Sequence, residues 1–197
     1  MSISRLRNPR LALSLATTAN QLTILRIVFV PVFIILLVYN ELGWALGTFV
    51  IAGITDVLDG IIARRFGQKT SIGAVLDPLA DKLLMTSSIV ILSLPQMEFQ
   101  NSVPRWLMII IIFRDVFILL VSLIVVLMVG WRTFTPSIYG KASTVMQVLT
   151  VLVVLYTNWQ QLELPELNII FYMTGLMTAF SGIHYLVRGL RQWHFNE

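Results

Sequence analysis

An all-α integral membrane protein with six transmembrane helices is the fold class this sequence predicts, on three observations. Of the 197 residues, 57% are hydrophobic and only 12% charged, with a mean hydropathy of +0.83; soluble domains carry about 25% charged residues. The apolar residues fall into six stretches long enough to cross a bilayer, which takes about 20 residues of helix. The basic residues gather on one side of the resulting up-and-down path. No linker or low-complexity tract interrupts the pattern, so residues 1–197 read as a single membrane domain. The absence of cysteine excludes disulfide and thiol chemistry.

The elements follow in chain order. Arg5, Arg7 and Arg10 before the apolar run 11–16 resemble a short targeting signal. The run is short and leads straight into the segment Asn20 to Arg26, so a short N-terminal juxtamembrane amphipathic helix along the interface is expected, begun or broken at Pro9. Spans are expected near residues 22–40, 44–65, 74–94, 105–129, 140–158 and 168–188. Trp44, Trp106, Trp131, Trp159 and Trp193 fall near span ends, as an interfacial aromatic belt requires.

Charge sets the expected orientation. Arg5, Arg7, Arg10, Arg64, Arg65, Lys69, Arg132, Lys141, Arg188 and Arg191 lie on one side, which the positive-inside rule makes cytoplasmic. The other side carries Glu41, Glu98, Glu163 and Glu166 with Arg105. Both termini are therefore expected inside a bacterial-type inner membrane. The net charge of +4 reads as this bias plus attraction to anionic lipid headgroups, with no nucleic-acid partner.

Asp56, Asp59, Asp77 and Asp81 stand out against this hydrocarbon. A carboxylate at the centre of a membrane helix costs roughly 2.5 to 3.5 kcal/mol, so four within so short a stretch call for bound cations. Asp56 and Asp59 are three apart on the second span, and Asp77 and Asp81 four apart on the third, so each pair shares a helical face. A turn with Arg64, Arg65, Gly67, Lys69 and Gly73 joins the two spans, which lets the four carboxylates face one another near the cytoplasmic surface. All-oxygen ligands suit two hard divalent cations, Mg2+ first and Mn2+ second, with octahedra completed by substrate phosphates and water. A metal pair neutralises a pyrophosphate and steadies both entering and leaving oxygens, so a diphosphate-linked substrate is the natural partner.

The full pattern is D-x2-D-G-x2-A-R-x8-G-x3-D-x3-D, with Asp56, Asp59, Gly60, Ala63, Arg64, Gly73, Asp77 and Asp81 fixed. Eight such identities recur by chance on the order of once in 10^10 start positions. The pattern resembles the signature of the CDP-alcohol phosphatidyltransferase family. Asn20-x-Leu22-Thr23-x-x-Arg26, Arg114-Asp115 and Gly140-Lys141-x-x-Thr144-x-x-Gln147 extend the resemblance along most of the chain. It implies attack of an acceptor hydroxyl on the β-phosphorus of CDP-diacylglycerol with release of CMP. It also implies that Asp56, Asp59 and Asp77 hold metal and that Asp81 holds metal and acts as general base. Gly60, Ala63, Arg64 and Gly73 resemble a wall for the cytidine nucleotide, although small residues on membrane helices equally serve packing. The family further implies a homodimer.

Arg114 lies ten residues into the fourth span, where an arginine either pairs with a carboxylate or contacts an anionic substrate. Lys141 reads as a phosphate contact or as one more positive-inside lysine. Thr23 and Arg26 line the site or, for Arg26, snorkel to headgroups. Relatives that make phosphatidylglycerophosphate usually carry a second arginine two turns after the Arg114 equivalent, and here Ser122 stands there. The polyol phosphate sn-glycerol 3-phosphate is the first acceptor expected, with Arg105 or Arg132 as replacement charge; phosphatidylglycerol, the acceptor of the family's cardiolipin synthases, is the alternative.

Two other classes fit less well. Transporter sites sit near the midplane between inverted repeats, whereas these aspartates flank one basic turn. A structural protein with aspartates paired to arginines has too few buried bases. Lys82 adjoins Asp81 but points about 100° away on a helix, which disfavours their pairing. His184 and His194 have no carboxylate pattern beside them and read as packed or interfacial.

Overall fold

The computed structural model describes the backbone of residues 18–66, 73–129 and 137–194, and the side chains of residues 25, 27–58, 82–121 and 137–187. The expected juxtamembrane helix, Gly67, Lys69, Trp131 and Arg132 lie outside the described residues. Six α-helices follow in order: α1 (Thr18–Val38), α2 (Leu42–Phe66), α3 (Gly73–Leu92), α4 (Arg105–Val129), α5 (Ile138–Trp159) and α6 (Leu167–His194). The described residues contain no strand. Each helix falls where an apolar stretch predicts one, with ends shifted by a few residues. α6 departs most: it continues six residues past its expected end, through the basic segment with Arg188 and Arg191.

The chain divides into two compact units, residues Met1–Ile91 and Leu92–Glu197. In the first, α1 and α2 form a helical hairpin. Asn40 closes α1 in the left-handed region at φ 59°, and the Glu41 amide donates to the Leu36 carbonyl at 2.8 Å. That bond, from the third residue past the helix back to its last turn, satisfies a carbonyl the helix end would otherwise orphan. Asparagine tolerates this conformation better than most residues. Phe33 and Phe49 meet across the hairpin with ring centroids 5.7 Å apart, beside the buried Leu37, Ala45 and Ala52. Pro31 sits inside α1, where it removes one ladder bond, a defect that membrane helices accommodate.

The second unit contains α4, α5 and α6. The same closing device recurs: Gln161 lies at φ 53° and the Leu162 amide donates to the Thr157 carbonyl at 2.9 Å, turning α5 back into α6. Asn158 and Asn101 exchange a reciprocal pair of bonds, each 2.8 Å, which tie the loop before α4 to the end of α5. Leu107, Ile111, Val151, Val154, Leu155 and Phe171 form buried apolar faces of this unit.

The outward faces are apolar as well. Ile109, Phe113, Leu119, Leu176 and Ile183 are each at least 58% exposed, a surface that water does not favour and lipid does. Among the described residues, α5 and the Leu167–Val187 part of α6 are long and apolar enough to cross a membrane.

Candidate active site

α2 and α3 carry the aspartates on continuous helical backbone. A 1.5 Å rise per residue places Asp56 about 15 Å and Asp59 about 10 Å before the end of α2. The same rise places Asp77 about 6 Å and Asp81 about 12 Å after the start of α3. The two pairs thus lie at similar depths along helices that the segment 67–72 joins. Asp56 is half-buried. The side chains of Asp59, Gly60, Ala63, Arg64, Gly73, Asp77 and Asp81 lie outside the described residues, as do those of Thr23 and Arg26 on α1.

The other candidate residues, Arg114 and Lys141, are on α4 and α5 in the second unit. Arg114 and Asp115 are both more than nine-tenths buried, and Arg114 Nη1 donates to Asp115 Oδ1 at 2.7 Å. The carboxylate that a buried arginine requires is therefore its own neighbour. Successive side chains on a helix diverge by about 100°, yet the long arginine stem spans the gap. Arg114 Nη2 donates to Ser181 Oγ on α6 at 2.9 Å. Its Nε is buried without a partner among the described residues. Arg114 also lines an apolar groove of about 430 Å³ between α4 and α6, with Phe113, Phe117, Ile183 and Leu186.

Lys141 is exposed in the first turn of α5. That turn is built tightly. Ser137 caps the helix by accepting from the Gly140 amide at 3.0 Å, and the Ser137 amide donates to the Tyr185 hydroxyl at 3.1 Å. A Cβ on Gly140 would come within 3.0 Å of the Tyr185 ring, so glycine lets α6 approach this turn. One to two turns on, Gln147 Nε2 donates to Thr178 Oγ1 at 3.1 Å and to Ser143 Oγ at 3.3 Å, while Thr150 and Thr174 share a 2.7 Å bond. The Gly140, Lys141 and Gln147 of the sequence motif thus lie on one helix fastened to α6.

Sequence reasoning did not single out Ser181, Tyr185, Thr174 or Thr178. Their signal was present: polar residues at 174, 178, 181 and 185, spaced four, three and four, mark one face of an otherwise apolar helix. The opposite contact of α6 is with α4, where Trp106 stacks on Tyr172 at 5.4 Å and lies over Gly175. His184 packs against Tyr139, ring centroids 4.8 Å apart, in keeping with a packed histidine.

Six helices with apolar outward faces, two consecutive ones bearing the paired aspartates, define an all-helical protein suited to a membrane. The chain belongs to the CDP-alcohol phosphatidyltransferase family, whose model matches residues 16–181. A Drosophila melanogaster protein named probable cardiolipin synthase (CMP-forming) is 34% identical over 191 residues, 88% of this chain and 58% of that protein. A Mycobacterium tuberculosis protein named probable phosphatidylglycerophosphate synthase is 31% identical over 90% of this chain and 83% of its own length. A Haemophilus influenzae protein named CDP-diacylglycerol–glycerol-3-phosphate 3-phosphatidyltransferase is 32% identical over 84% of this chain and 89% of its own length. The chain thus spans less than two thirds of the fly protein and most of the two bacterial ones.

Proposed function

We propose that the chain transfers the phosphatidyl group of CDP-diacylglycerol to a hydroxyl of sn-glycerol 3-phosphate, forming phosphatidylglycerophosphate and CMP. The observation that carries this reading is the eight-residue signature on α2 and α3, in a chain that covers 83% and 89% of relatives named for that reaction. Asp56, Asp59, Asp77 and Asp81 would hold two Mg2+ ions, and the donor set fits: four carboxylates, paired three and four residues apart on helical backbone. Ions held there would supply positive charge against the pyrophosphate and the leaving CMP. Asp81 takes the proton from the acceptor hydroxyl as that oxygen forms its bond to the β-phosphorus. The bond from that phosphorus to the CMP oxygen then breaks. Gly60, Ala63, Arg64 and Gly73 line the nucleotide, Thr23 and Arg26 border it, and Arg114 and Lys141 bind the acceptor phosphate.

All six helices cross the membrane in this reading, as one domain working as a homodimer, with the site and both termini cytoplasmic. Exclusive labelling of a Lys69→Cys variant from the cytoplasmic side tests that orientation.

A second reading has phosphatidylglycerol as acceptor and cardiolipin as product. Two observations favour it: Arg114 already has Asp115 on one terminal nitrogen, and Ser122 stands where a second arginine would add charge. Purified protein given CDP-diacylglycerol with each acceptor separately distinguishes the readings by the lipid formed. Cardiolipin without phosphatidylglycerophosphate overturns the first.

A further inference from the structure

We propose that Ser181 is a positioning residue that fixes the Arg114 guanidinium for the acceptor phosphate, an assignment that rests on the acceptor role given to Arg114 above. Arginine's stem carries several rotatable bonds, and a carboxylate on the adjacent residue anchors only one of its terminal nitrogens. At Arg114 that anchor is the 2.7 Å bond from Nη1 to Asp115, which comes from the same helix. The second anchor comes from another helix: Ser181 Oγ, itself fully buried, accepts from Nη2 at 2.9 Å. Two bonds on two terminal nitrogens, from two helices, define the plane of the guanidinium. One would leave it free to swing about the other.

The remaining contacts make the anchor rigid. The Arg114 stem lies against α6 at Gly182, where a Cβ would sit in ordinary contact, 3.6 Å from Arg114 Cγ. Three residues before Ser181, Thr178 bonds to Ser143 and Gln147 of α5. Four residues after it, Tyr185 bonds the cap of the turn that carries Lys141. One face of α6 therefore holds Arg114 and the turn that carries Lys141, and Ser181 is its only described hydrogen bond to Arg114. Each terminal nitrogen has one N–H engaged and one left over, and Nε has no partner among the described residues. The orientation set by Ser181 and Asp115 decides where the remaining donors point.

The test is a double-mutant cycle on purified full-length protein with CDP-diacylglycerol and Mg2+, using sn-glycerol 3-phosphate in one arm and phosphatidylglycerol in the other. S181A removes a single neutral hydroxyl and is expected to raise the KM for the productive acceptor roughly two- to tenfold. The KM for CDP-diacylglycerol stays unchanged, and the thermal midpoint falls by no more than the loss of one interhelical hydrogen bond accounts for. R114K keeps the charge and the bond to Asp115 but has no second terminal nitrogen for Ser181. In that background S181A is expected to add nothing, because coupled residues are non-additive. S181T, which restores a hydroxyl, should recover acceptor affinity where its methyl fits. An unchanged acceptor KM in S181A, equal effects on both substrates with a lowered midpoint, or full additivity with R114K each overturns the positioning role while leaving the transferase reading intact. A wild type that releases no CMP with either acceptor overturns both.

Discussion

The helix pair α2–α3 and the helix trio α4–α6 encode their chemistry in different ways. In the first, the informative residues are charges in an apolar run, and their spacing alone states which face they share. In the second, the informative residues are small hydroxyls and one amide, each unremarkable in sequence, which acquire meaning from partners on other helices. A buried carboxylate requires a cation wherever it lies, because desolvation leaves it no alternative. A buried serine satisfies itself on its own helix as readily as across one, as Ser88 does on the Leu84 carbonyl at 2.6 Å. Charge is therefore legible along a chain, and hydroxyl pairing is legible only in three dimensions.

Three substitutions sharpen the contrast. The largest effect is expected in the first region: Asp81→Asn keeps the shape of the side chain but removes the base, and kcat should fall roughly 10² to 10⁴-fold. Folding, read as the thermal midpoint in detergent, should hold. A variant with more than a tenth of wild-type activity would remove Asp81 from the base role. A smaller effect, on stability and not chemistry, is expected at Gly175. A Cβ there would come within 2.6 Å of the Trp106 ring, so Gly175→Val must push α4 and α6 apart at a cost of about 1 to 3 kcal/mol. An unchanged unfolding midpoint would show that Trp106 swings away freely. The smallest is Thr150→Val, which breaks the 2.7 Å bond to Thr174. Interhelical hydrogen bonds in membranes average about 0.6 kcal/mol. A loss several times larger would mean that the polar face of α6 acts cooperatively.

The same contrast explains what the sequence made readable. Helix positions followed from hydropathy because backbone groups in lipid must satisfy themselves, and an apolar stretch then has few alternatives to helix. The family followed from the spacing of the Asp56 to Asp81 signature. At Arg114 the sequence calls for a carboxylate or an anionic substrate; the structure supplies a carboxylate, Asp115, which the sequence does not single out. The 100° divergence of neighbours on a helix does not keep Arg114 from Asp115, where the bond forms at 2.7 Å. Stem length, not backbone angle, decides such cases. The α6 face with Thr174, Thr178, Ser181 and Tyr185 carried a heptad-like spacing. That spacing marks a face without naming its partner, and both α4 and α5 contribute one.

The central claim is that this chain breaks the diphosphate of CDP-diacylglycerol at a metal-dependent carboxylate site. The most direct measurement is CMP release from CDP-diacylglycerol by the purified protein with an acceptor, with Mg2+ and then with excess EDTA. CMP formation that requires both acceptor and Mg2+, stops with EDTA and returns when Mg2+ is restored is the expected result. CMP release that persists in EDTA, or no release with either glycerol phosphate or phosphatidylglycerol, would contradict it.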